Sequence, residues 1–188
     1  MLAFTYIVMR TVNIFDFSSI MYHLGRLFGL FAILFLSFIL FFGDTAKFFD
    51  RYFGLDKIIA FNKKFGFVTT LFALSHPIFF ILSSKNYWVY LIPNFQVLPL
   101  ALGTIAFYLL IIFSMASFFY KKVSNQAWQY LHIISYLIFF FGAFHADNIG
   151  TDYANSFVHF IHIIMVILVV IGIIYRTTYK IRKKGVYN

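Results

Sequence analysis

Long apolar runs alternate along this chain with short polar breaks, most of them basic. Five runs are near twenty residues in length: 24–43, 58–82, 100–119, 127–146 and 156–175. An α-helix rises about 1.5 Å per residue, so about twenty residues cross the roughly 30 Å hydrocarbon core of a bilayer. The pattern predicts an all-α, polytopic membrane helix bundle of about five transmembrane helices. Residues 1–21 leave room for a sixth, but Arg10 and Asp16 interrupt them. They are read as an interfacial segment, lacking the basic start and small-residue cleavage site of a signal peptide. Residues 22–176 then form a single membrane domain, and residues 177–188 a basic cytoplasmic tail.

The polar breaks set an orientation. The break after the first run carries Lys47, Arg51 and Lys57, with Lys63 and Lys64 just beyond. The break after the third carries Lys121 and Lys122, and the tail carries Arg176, Lys180, Arg182, Lys183 and Lys184. The breaks after the second and fourth runs hold one basic residue, Lys85, between them; the latter has Asp147 and Asp152 instead. Basic loops stay on the cytoplasmic side, so the expected arrangement is a multi-pass protein of the cell (inner) membrane with its C-terminus in the cytoplasm. Arg10 and Arg26 fall on the opposite, outer side and depart from the pattern. Around Trp88, Tyr87 and Tyr90 the outer loop has the composition of an interfacial aromatic belt.

Composition narrows the chemistry. The chain of 188 residues is 62% hydrophobic and 11% charged, too apolar for a soluble domain of this size. The net charge of +9 sits beside membrane runs, where lipid headgroups and topology account for it, so no nucleic-acid partner is expected. With no cysteine, disulfides, thiol nucleophiles, iron–sulfur clusters and thiolate-ligated haem are excluded. No dinucleotide-binding glycine fingerprint occurs, and no serine–histidine–aspartate or paired-carboxylate arrangement is apparent.

The six histidines are therefore the main metal-ligand resource. An ionisable ring within lipid marks a function and requires a partner. His76 on the second run and His145 on the fourth both fall near the outer end of helices running in the same direction. Two neutral imidazoles at one depth on separate helices match what a b-type haem iron takes as axial ligands, with apolar walls holding the ring. The expected site is one haem b between helices two and four, on His76 and His145. His132 lies thirteen residues before His145, about 20 Å lower along a helix, and is the candidate for a second haem. Facing it at that depth is Asn62, fourteen residues before His76. Thirteen residues miss the starting face by about 140°, so His132 and His145 occupy different faces unless Gly142 distorts the helix. His159 and His162 are candidates for a haem edge, quinone or metal, or for ordinary interhelical hydrogen bonds; His23 is read as interfacial.

Several stretches together resemble the ferric reductase-like transmembrane domain: WQYLHIISYL followed by GAFH, LSHP in the second run, and GLDKIIAFNKKFG at its start. The resemblance covers about residues 22–176. It implies a haem-binding bundle that carries electrons across a membrane. Two-haem members of the family carry a further histidine at the position of Asn62. The haem-binding membrane subunits of the MsrQ type lack it and keep one histidine on the first ligand helix and two on the second, the pattern of His76, His132 and His145. Those subunits are usually six-spanning. Reductases and oxidases of the family add a flavin and nicotinamide domain after the last span, where this sequence has residues 177–188. The resemblance thus implies a separate donor, either a flavoprotein reductase bringing FMN or FAD or a membrane quinol, and an outer-face acceptor protein or ferric chelate. Lys63, Lys64, Lys121 and Lys122 are the candidate donor-docking patch. The competing expectation is a haem-free membrane scaffold or a metal permease using the outer histidines.

Overall fold

The structure is a computed structural model that describes residues 1–10, 16–84, 87–118 and 125–185; the side chains of 117, 118, 125–129, 132 and 183–185 lie outside the description. The described chain is 91% helical, without strands. Eight helices occur in the order α1 (Leu2–Arg10), α2 (Phe17–Asp44), α3 (Ala46–Phe53), α4 (Leu55–Ser83), α5 (Trp88–Leu91), α6 (Leu98–Phe118), α7 (Asn125–Ile149) and α8 (Ser156–Gly185), with a 3₁₀ turn at Thr151–Ala154 before the last. Four of them, α2, α4, α6 and α8, are long and apolar enough to cross a membrane, and α7 adds a shorter apolar stretch, Ile133–Ile149. The protein is a multi-pass membrane protein, and its five long helices correspond to the five predicted runs.

Each boundary has a local cause. Asp16 caps α2 by accepting from the Ser19 amide at 2.8 Å, so this helix starts seven residues before the predicted run. Gly54 separates α3 from α4 with φ of +82°, a conformation open to a residue without a Cβ. The Leu55 amide then bonds to Asp50 Oδ1 at 2.8 Å. Between them α3 is amphipathic, with the Arg51 guanidinium over the rings of Phe48 and Tyr52, at 5.1 and 4.9 Å. Pro77 lies within α4, where it cannot donate to the carbonyl of Ala73.

The core is built on α2. Leu30, Phe31, Ile33 and Leu40 are buried with Phe139 of α7 and Val169 of α8. α2 packs most extensively on α4, α6 on α7, and α8 on α2. The outward faces of the long helices stay apolar, with Phe67, Leu71, Ile112, Ile167 and Ile174 exposed, which suits a hydrocarbon solvent. The N-terminal segment divides differently from expectation. Residues 17–21 belong to α2. α1 places Phe4 on Phe31 at 6.5 Å and buries Val8 fully. Phe31 lies fourteen residues into α2, about 21 Å along it, so α1 rests beside the midsection of the bundle rather than at its edge. Its nine residues rise only about 14 Å, too short to span.

Candidate functional site: an imidazole pair in an apolar cavity

A cavity of about 370 Å³ lies between α2, α4, α6 and α7, and Thr151, Asp152 and Tyr153 line it from the turn after α7. Its size falls in the usual range of small-molecule sites, about 300–1,000 Å³. The walls are largely apolar, including Ile33, Ala73, Leu100, Phe107 and Ile138. His76 of α4 and His145 of α7 both line it. Their ring centroids are 6.3 Å apart and their planes cross at 89°. The depth argument from sequence and the fold therefore bring the same two rings together.

Each ring is held by one nitrogen. His76 Nδ1 lies 2.7 Å from the carbonyl of Gly25 on α2. His145 Nδ1 lies 3.0 Å from the carbonyl of Pro99 in the first turn of α6. A carbonyl only accepts, so both Nδ1 atoms are the protonated ones and both Nε2 atoms keep their lone pairs. This is the arrangement that orients metal-bound imidazoles: the far nitrogen donates to the protein and the near one is left for the metal. Two metal–nitrogen bonds of about 2 Å plus two ring radii sum to roughly 6 Å between centroids, close to the separation observed. Among the described residues no group of three or more histidine or acidic side chains is placed to hold a bare ion. Two nitrogens in an apolar slot suit instead a metal whose other positions a macrocycle fills. The donor set fits an axially ligated haem.

The remaining sequence candidates are elsewhere. α7 continues without interruption through Gly142, which keeps positions 132 and 145 on different faces; the His132 side chain is outside the description. Asn62 buries its Oδ1 without a hydrogen-bond partner among the described residues. His159 is half exposed, with Nε2 3.4 Å from Asp147. His162 is buried edge-on against Tyr153, centroids 4.9 Å apart. His23 lies 2.9 Å from an Arg26 nitrogen. Of the proposed docking lysines, Lys63 and Lys64 are exposed, while Lys121 and Lys122 are outside the description.

Two ionic contacts that sequence reasoning did not pair stand at opposite ends of the bundle, the first of them at the mouth of the cavity. At the mouth, Arg26 forms a bidentate ion pair with Asp152, both side chains buried, with Arg26 Nε 3.0 Å from Oδ2. Arg26 had stood out as a charge out of place; a cation inside an apolar run calls for a buried anion at its own depth, and that signal was available. At the basic end, Asp44 is buried, accepts from the Tyr136 hydroxyl at 2.7 Å and pairs with Arg176 at 3.0 Å. Arg176 also donates to the Tyr136 oxygen at 3.1 Å. Tyr153, on the loop at the mouth, has its hydroxyl pushed well above the usual phenol range by burial and by the Asp147 and Asp152 carboxylates, so it stays neutral.

Residues 28–143 match the family described as ferric reductase like transmembrane component, well over half of the chain. The chain belongs to this family. The matched segment contains His76 and His132, stops two residues short of His145 and leaves out α8. No curated protein and no solved structure matches the chain. Membership of the ferric reductase-like family points to a role in membrane electron transfer.

Proposed function

We propose that this ferric reductase-like protein binds one b-type haem between α4 and α7 and carries electrons across the membrane. His76 and His145 would hold the iron, each through its Nε2. The supporting observation is the facing pair itself, with each Nδ1 bound to a backbone carbonyl and each Nε2 left available. When bound, the haem would supply reversible one-electron exchange. The apolar walls keep water from the ring, and the two carbonyls fix the tautomer and the direction of both imidazoles.

The lysine-rich end faces the cytoplasm in this reading, on the positive-inside argument. Electrons enter there from a flavoprotein reductase, which brings its own FMN or FAD, or from a membrane quinol. They leave at the histidine end to an acceptor protein or a ferric chelate. The deciding experiment is a dithionite-reduced minus oxidised spectrum of the purified protein, expressed with haem in excess. A b-type α-band is expected. Metal transport by a protein without a Soret band would replace this reading with the permease.

A further inference from the structure

The two imidazoles are held by the same local device built twice. His76 reaches Gly25 O, 51 residues earlier, and His145 reaches Pro99 O, 46 residues earlier. In both cases the backing helix carries a glycine four residues beyond that carbonyl: Gly29 on α2 and Gly103 on α6. In an α-helix the carbonyl of residue i faces the amide of residue i+4, so each glycine lies directly beneath the carbonyl its histidine uses. A Cβ on Gly29 would come within 2.7 Å of His76 Nδ1 and 2.8 Å of its Cε1. At Gly103 it would run into His145 Nδ1 and come within 2.6 Å of Cε1. In each case the three nearest atoms all belong to the imidazole. Gly25, Gly43 and Gly172 also sit at close helix crossings, where a Cβ would come within 3.0–3.3 Å of other side chains, whereas Gly66, on α4, meets nothing within 4 Å.

We infer that Gly29 and Gly103 are positioning residues, each the floor of an imidazole seat whose back wall is the carbonyl one turn away, and that α2–α4 and α6–α7 are two copies of one half-site. The pairing resembles the parallel repeats related by an axis along the membrane normal in other membrane bundles. Each seat dictates which way its ring plane faces, so the pair of seats sets the crossing of 89° between the rings. The seats rest on the haem reading proposed above and add to it what fixes the ligand planes. Crossed ligand planes leave the iron d orbitals nearly degenerate, and the oxidised form then gives a single strongly shifted low-field electron paramagnetic resonance line rather than a rhombic triplet.

Chemical rescue tests the seats. His76→Gly is expected to lose the haem absorbance and to regain it with added imidazole, which docks on Gly25 O. In Gly29→Ala with His76→Gly, the methyl group occupies the space vacated by the ring, and imidazole should restore nothing. Gly29→Ala and Gly103→Ala in the otherwise native chain should lose haem or turn the low-field line into a rhombic signal, while Gly66→Ala should keep the native spectrum. Rescue that fails in His76→Gly, or that is equal with and without the alanine at 29, overturns the seats. So does an unchanged resonance line in a haem-loaded Gly103→Ala protein. Absence of the α-band in the unaltered protein is a different result, and removes the haem reading itself.

Discussion

Arg26 and Asp152, 126 positions apart, form a buried bidentate pair at the mouth of the cavity. The contact ties α2 to the turn between α7 and α8, and so fixes the loop that lines the site above His145. Removing one partner leaves the other charge buried and alone, which costs about 3–5 kcal/mol. Arg26→Ala and Asp152→Ala should each lower thermal stability in detergent by that order. Replacing both with leucine should recover most of the loss, because a buried pair contributes little over an apolar substitute. Equal losses for the single and double variants would count against a coupled pair.

The opposite end depends on Asp44. Tyr136→Phe removes one donor to its buried carboxylate and should cost about 1–3 kcal/mol. Arg176→Met takes away the charge and should cost more, about 3–5 kcal/mol. Unfolding of the purified variants, followed by loss of helical circular dichroism, gives the order. If Tyr136→Phe proves the more damaging, the carboxylate is held mainly by the hydroxyl and not by the cation.

Haem stoichiometry tests the assignment of ligands. One haem per chain is expected by pyridine hemochrome. His76→Ala and His145→Ala should each abolish it in folded protein. Asn62→Ala and His132→Ala should retain it, because position 132 lies on a different face of α7 from His145. Two haems in the unaltered chain, with one lost in His132→Ala, would restore the second site.

His162 gives a prediction of opposite sign. Its Nδ1 is buried without a hydrogen-bond partner among the described residues, and its ring packs against Tyr153. Exchanging an unsatisfied polar group for an apolar one of similar shape is neutral or favourable. His162→Phe should leave the melting temperature unchanged or raise it, with the haem spectrum intact. Loss of haem in that variant would make His162 a member of the site.

The sequence reveals the bundle because span length and hydropathy are properties of contiguous residues. It reveals His76 and His145 because two rare polar side chains share a depth that can be counted from the ends of their runs. What holds those rings was hidden for a physical reason: the partners are the carbonyls of Gly25 and Pro99, and backbone atoms leave no mark in composition. The glycines beneath them are visible as letters, but nothing local separates Gly103 from Gly66. Arg26–Asp152 and Asp44–Arg176 join residues 126 and 132 positions apart, and only the folded chain says which charge meets which. The placement of α1 escaped for another reason: its apolar residues suit the interface or the bundle equally, and contact with Phe31 decides between them.

The final helix has a role that its lack of cavity residues conceals. α8 follows α7 in the chain, yet its main packing is on α2, through Met165, Val169 and the Arg176–Asp44 contact. It thus works as a strap, anchored to one half of the molecule by covalent continuity and to the other by packing. Damage to that strap should let the halves drift apart and loosen the grip on the cofactor before any single helix melts.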